Sequence, residues 1–256
     1  MKWLITGLNG TLAPVLAREA ASQGVEVLAW SRHAVPPDDA AASQAWLQAM
    51  RPDAIAHLGM GSAQWAGQLA GYAAGRELPF VYTSSAMVFH HEPDGPHSPG
   101  DTRTAQDDYG RYKIACEDAV HAAHPGASVV RIGWQIDPAQ PGNNMLMALD
   151  EWQASQGRVA ASRRWKPACS FMADTARALA RLLHEPAAGV VHLDGNAQEG
   201  HSFLDIVLAL QAAFGRQHWR VHAHDDYVHD QRLVGDPVRV AGLSETLVLP
   251  SRPDPA

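Results

Sequence analysis

Apolar residues recur along this chain in two alternating rhythms. Short continuous runs at residues 3–6, 25–30, 55–58, 80–84 and 128–132 carry Val, Ile, Trp, Tyr and Thr and predict strands. Between them the apolar positions take helical spacing, which predicts helices over residues 12–23, 41–50, 64–75 and 105–124. Arg51-Pro52 ends the second of these, because a proline pushes the preceding residue out of the helical region. Further on, residues 174–183 and 203–214 read as helices and residues 190–193 as a strand. Strands alternating with helices predict an α/β protein with a doubly wound parallel sheet covered on both faces. The alternation breaks after Trp134 and resumes near Cys169, then breaks again after Asn196. The expected division is a nucleotide-binding domain at 1–133 and 170–195, and a small discontinuous C-terminal substrate lobe at 134–169 and 196–256. The run from His90 to Thr104, rich in Pro, Gly, Asp and His, reads as an exposed loop.

Composition narrows the field. Of 256 residues, 46 % are hydrophobic and 18 % charged, which suits a globular protein and not a disordered one. The formal charge of −7 and the lack of any Lys/Arg run argue against nucleic acid as a partner. Strand-like residues follow Met1 almost at once, without a leader pattern, and no apolar run approaches ~18 residues. The expectation is a cytoplasmic protein with no membrane partner. Cys116 and Cys169 fall in no metal-ligand or CxxC spacing and read as reduced thiols.

The first strand runs into Thr6-Gly7-Leu8-Asn9-Gly10-Thr11-Leu12-Ala13, a TGxxGxxA turn that opens the first helix. Gly7 allows the tight turn, Gly10 lets backbone approach a pyrophosphate, and Ala13 keeps helix and strand close. The helix N-terminus offers unpaired N–H groups to the phosphates. Asn9, Thr11 and Leu12 belong to the same cradle, and the sheet is therefore read as a Rossmann fold. At the end of the second strand stands Trp30-Ser31-Arg32, with no carboxylate to hold a ribose 2′-hydroxyl. Ser31 and Arg32 offer a hydroxyl and a guanidinium suited to a 2′-phosphate, so the expected cofactor is NADP(H).

Tyr109-Gly110-Arg111-Tyr112-Lys113 puts a phenol and an ammonium at i and i+4 on one helix face. A neighbouring cation favours phenolate and lowers the phenol's pKa toward the working range of a proton donor. Ser85 follows the fourth strand, where doubly wound sheets bind ligands, and can hydrogen-bond a substrate carbonyl.

With these residues in place, the chain resembles the extended short-chain dehydrogenase/reductases, most of all the dTDP-4-dehydrorhamnose reductase branch. TGLNG, RPDAIAHL, SSAMVF, YGRYKIACED and VVRIGW occur in family order over nearly the whole length, and the spacing from Ser85 to Tyr109 matches. The resemblance implies that Tyr109 donates the proton, that Lys113 holds the nicotinamide ribose and that Ser85 orients the carbonyl. It also implies that Leu58, Gly59, Met60 and Ile132 line the cofactor, and that Ala86, Trp134 and Asn144 face a sugar nucleotide. The implied activity is NADPH-dependent reduction of a keto group on a nucleotide-activated sugar or similar small molecule. An epimerase on the same scaffold and a non-catalytic NADP(H)-binding regulator are the alternatives, and a homodimer is a family-level expectation.

Two features depart from the family. The segment from His57 to Val81 is shorter by about a helix and its loop, and Ser85-Ala86-Met87 stands where Thr-Asp-Tyr is common. The histidines and aspartates between His222 and Asp230 match no ligand spacing, so no metal is expected.

Overall fold

The computed structural model describes residues 1–139, 142–235 and 240–250; residues 140–141, 236–239 and 251–256, all within the expected second lobe, lie outside it. Six parallel strands form the main sheet: β1 (Lys2–Thr6), β2 (Glu26–Ala29), β3 (Ala54–His57), β4 (Phe80–Ser85), β5 (Ser128–Ile132) and β10 (Gly189–Leu193). Their spatial order is β10-β5-β4-β3-β1-β2. The winding reverses between β1 and β3, and in open α/β sheets that crevice is where ligands bind.

Period-two alternation sends neighbouring side chains of each strand to opposite faces. Trp3 and Ile5, Ala54 and Ala56, Val81 and Val130 join one apolar cluster with helices α1 (Leu12–Ser22) and α6 (Met172–His184). Leu4, Ile55, Phe80, Tyr82 and Val129 join the other, with α2 (Ala40–Met50), α3 (Ala63–Ala74) and α4 (Asp108–Ala123). Both faces are covered, as the strand–helix alternation predicts. Each fully buried Leu, Ile or Val contributes roughly 1.5–3 kcal/mol. Between β3 and β4 stands a single helix, α3, the short connection expected from the sequence.

The rest of the described chain adds β6 (Trp134–Ile136), α5 (Met145–Gln156), β7 (Val159–Ser162), β8 (Trp165–Lys166), β9 (Cys169–Phe171), α7 (Phe203–Ala213), β11 (Val221–His224) and β12 (His229–Asp230). These strands pair in parallel as β6–β9, β7–β11 and β8–β12. A third apolar cluster, including Ile136, Leu149, Phe203, Ile206 and Trp219, fills this part. A capping box between Ser202 and Asp205 starts α7.

The expected loop at residues 90–104 is held down. Gly95 N donates to Asp230 O (3.0 Å), His97 N to Arg232 O (2.8 Å) and Val234 N to His97 O (2.8 Å). His97 is buried and stacks on Phe89 with ring centroids 4.1 Å apart. Backbone pairing thus makes this segment a strap between the end of β4 and the segment after β12. Cys116 and Cys169 are both free and buried. Among the described residues no three His, Cys, Asp or Glu side chains are placed to hold a metal, and no helix is long and apolar enough to cross a membrane.

Candidate active site

The turns after β1 and β3 meet at the reversal point. Gly7 has φ +82°, and a Cβ there would stand 2.8 Å from Gly59 N. Only glycine accommodates both the left-handed φ and that approach. Thr6 locks the two turns together. Its hydroxyl accepts from Leu58 N (3.1 Å) and Gly59 N (2.9 Å) and lies 2.8 Å from His57 Nδ1. With both lone pairs engaged, its proton goes to Nδ1, which leaves His57 as the Nε2–H tautomer. Burial, then the charges of Lys113 and Arg32, hold His57 near pKa 3 and therefore neutral.

Helix α1 begins at this junction. α2, α3, α4, α5 and α7 carry side-chain N-caps, whereas α1 and α6 have none. The first N–H groups of α1 and its dipole are available to an anion. Thr11, at the N-cap position, instead accepts from Asn143 N at 3.2 Å. Arg32 reaches back toward the same junction. Its guanidinium lies 5.2 Å from the Trp65 ring centroid, and its Nη2 is 3.4 Å from where a Gly59 Cβ would be. Exposed Ser31 precedes it and accepts weakly from Ala34 N at 3.4 Å.

Helix α4 brings Tyr109 and Lys113 to the end of β4. Asp107 caps it by accepting from Gly110 N at 2.8 Å. Gly110 has Met87 O and Ala105 Cβ where its own Cβ would be, so the helix seats directly on the single 3₁₀ turn Ala86–Val88 that follows Ser85. The Ser85 hydroxyl accepts from Met87 N at 3.1 Å and stands near enough to the Tyr109 phenol to draw its pKa down. Tyr109 is 43 % exposed, open to a ligand from the cleft. Lys113 is buried one turn below, and its Nζ donates to Thr83 O at 2.9 Å and to Tyr82 Oη at 3.4 Å.

One sequence expectation changes here. Lys113 Nζ lies 5.8 Å from the Tyr109 ring centroid, turned toward the sheet, and the phenol sits above its ordinary pKa. Burial is the main cause; the nearby Ser85 hydroxyl pulls the value down and Asp107 pushes it up. The i,i+4 spacing places the ammonium on the right face, but the Thr83 carbonyl and the Tyr82 hydroxyl claim it. Burial in turn lowers Lys113 to about 8, against the pull of Cys116 and Glu117.

These groups border a cleft of about 560 Å³, within the usual range for small-molecule sites of roughly 300–1,000 Å³. Gly7, Gly10, Thr11, Leu12, Leu58, Met60, Ser85, Ala86, Tyr109, Lys113, Ile132 and Trp134 line it. Asn9, Ser31, Arg32 and Gly59 lie outside that lining. Asn144 also stands apart from it. Asn144 is buried at the start of α5 and accepts from Met147 N at 3.2 Å, while Asn143 faces the cleft. Sequence reasoning missed Met87, Gln135, Asn143, Trp165, Met172 and Gln231, which also line the cleft. Trp134 and Trp165 place their rings 6.4 Å apart on one wall. Among the described lining residues, Lys113 is the one cation.

Residues 62–228 match the family model described as the RmlD substrate binding domain. The chain belongs to this family. It is 27 % identical over 225 residues to dTDP-4-dehydrorhamnose reductase of Mycobacterium tuberculosis, spanning 76 % of this chain and 73 % of that protein. A probable low-salt glycan biosynthesis reductase, Agl14 of Haloferax volcanii, is 34 % identical over 89 residues, 35 % of this chain and 29 % of that one. The chain thus matches less than a third of the length of Agl14. The fold superposes on a dTDP-4-dehydrorhamnose reductase from Bacillus anthracis, solved in complex with NADP, with a TM-score of 0.80 and 16 % identity over 96 % of both chains. The curated relatives it matches are reductases.

Proposed function

We propose that this protein reduces a keto group on a nucleotide-activated sugar, with NADPH as the reductant. The observation that carries the reading is the convergence of Ser85, Tyr109 and Lys113 on one cleft beside the Gly7 and Gly59 turns. The residues fit the dinucleotide: the two glycine turns leave a cradle that a Cβ would fill, and α1 presents uncapped N–H groups above it. Gly7, Asn9, Gly10, Thr11 and Leu12 would hold the pyrophosphate, and Ser31 with Arg32 the 2′-phosphate. Leu58, Gly59, Met60 and Ile132 would flank the rest. When bound, the reduced nicotinamide supplies hydride.

The chain's own groups handle the oxygen. The Ser85 hydroxyl, already accepting from Met87 N, has its proton free to turn toward the carbonyl oxygen. Tyr109 gives its proton to the oxygen as negative charge develops there. A phenol held above its ordinary pKa stays protonated at neutral pH, the form that reduction consumes. Lys113 has one ammonium N–H left beyond Thr83 and Tyr82, which would donate to a ribose hydroxyl of the cofactor. Ala86 and Trp134, with Trp165, form the wall for the sugar.

The test is a panel of keto sugar nucleotides with NADPH, followed by loss of reduced-cofactor absorbance. Tyr109→Phe is expected to lower kcat by about 100-fold or more while NADPH affinity holds. Unchanged turnover in that variant, or sugar interconversion without net NADPH oxidation, overturns the reading.

A further inference from the structure

Gln135 borders the cleft and is only 8 % exposed. It follows Trp134 on β6 and pairs in register with Ser170 of β9. Its Nε2 donates to the Gly133 carbonyl at 3.1 Å. That carbonyl can only accept, so the amide end facing it is the NH₂ and the oxygen faces elsewhere. The oxygen, Oε1, is buried and has no hydrogen-bond partner among the described residues. A buried acceptor left without a donor is unfavourable, and a ligand carrying a donor removes that penalty.

The position of Gln135 identifies which part of a ligand it meets. Ile132 lies opposite Ser85 across the β4–β5 ladder, and Gln135 is three residues further along, beyond the end of the sheet. It therefore borders the end of the cleft where Ser85 and Tyr109 act, away from the Gly7 turn. The surrounding wall of Met87, Trp134 and Trp165 contributes ring and thioether surface. Resting on the keto-reductase reading above, we infer that Gln135 is a specificity-determining residue whose carboxamide oxygen accepts a hydrogen bond from a substrate hydroxyl near the carbonyl. The site then prefers a hydroxylated keto sugar to its deoxygenated counterpart.

The experiment compares two keto sugar nucleotides that differ only by a hydroxyl on the carbon beside the carbonyl. Wild type is expected to favour the hydroxylated one in kcat/KM by about tenfold or more, because its loss strands the buried acceptor. Gln135→Met, close in volume and lacking the acceptor, should bring the two within about twofold, with NADPH affinity measured alone unchanged. Gln135→Leu serves as a second variant. No preference in wild type, a preference kept in both variants, or a matching loss of NADPH affinity overturns the inference; the last outcome assigns the donor to the cofactor. If wild type turns over neither sugar, the keto-reductase reading fails by itself. Gln135 is then judged by tryptophan fluorescence titration of the NADP complex with the two corresponding alcohols, where equal binding overturns it.

Discussion

Lys113 sits beneath the cleft with its ammonium against the rings of Tyr82, Tyr109 and Tyr112 and 2.9 Å from the Thr83 carbonyl. Burial disfavours its charged form and lowers its pKa to about 8. An unfolded lysine titrates near 10.4. Between those values the unfolded chain binds more protons than the folded one, so stability rises with pH there; below about 8 the full cost of the buried charge is present. The cofactor-free protein should therefore gain on a Lys113→Met variant as pH climbs from 7 to 10, by roughly 2–4 kcal/mol. Urea unfolding at each pH measures this, and taking the difference cancels groups that both proteins share. A stability difference flat with pH would show that the ammonium is not desolvated as the structure has it.

At the scale of elements, activity depends on how closely α4 seats on the end of β4. Gly110→Ala would gain about 1 kcal/mol of helix propensity. Its Cβ would meet Met87 O and Ala105, and a backbone carbonyl cannot yield as a flexible side chain can. Such overlap typically costs about 1–3 kcal/mol and displaces the helix. The expected outcome is a fall in kcat through separation of Tyr109 from Ser85, with NADPH affinity nearly unchanged because the Gly7 turn is remote. A Gly110→Ala protein with wild-type kcat removes the close-seating argument. The same elements show what a sequence discloses. The six strands of the main sheet and the helices between them were legible, because each carries an apolar run or stripe of its own. β6, β8, β9 and β12 were not, being two or three residues long and paired only through contacts distant in sequence. α5 was missed because its buried positions, Met145, Leu146 and Leu149, crowd into its first turns. The site divides along the same line. Gly7, Ser85, Tyr109 and Lys113 follow from local motifs. Gln135, Trp165 and Gln231 come from three segments that only the folded chain brings to one wall. Arg32 was readable as a residue type, but its approach to Trp65 was not.

The whole molecule is stitched across its cleft at several points. Asn143 N reaches Thr11 Oγ1 at 3.2 Å, and the 90–104 strap pairs with β12 and the segment after it. A ligand filling the cleft touches both sides and binds only the folded state, so its binding energy adds to stability. At about 100 times its dissociation constant the gain is about 2.7 kcal/mol. For a chain of this size about 1 kcal/mol corresponds to roughly 2–4 °C, so NADP at that level should raise Tm by roughly 5–10 °C. NAD at the same concentration lacks the 2′-phosphate that Ser31 and Arg32 are proposed to meet, and should raise it by less. Arg32→Ala should reduce the NADP shift to that of NAD and leave the NAD shift in place, since the glycine turns and α1 are untouched. Equal shifts for the two dinucleotides in the wild-type protein, or a difference that survives Arg32→Ala, would transfer cofactor selection to other residues.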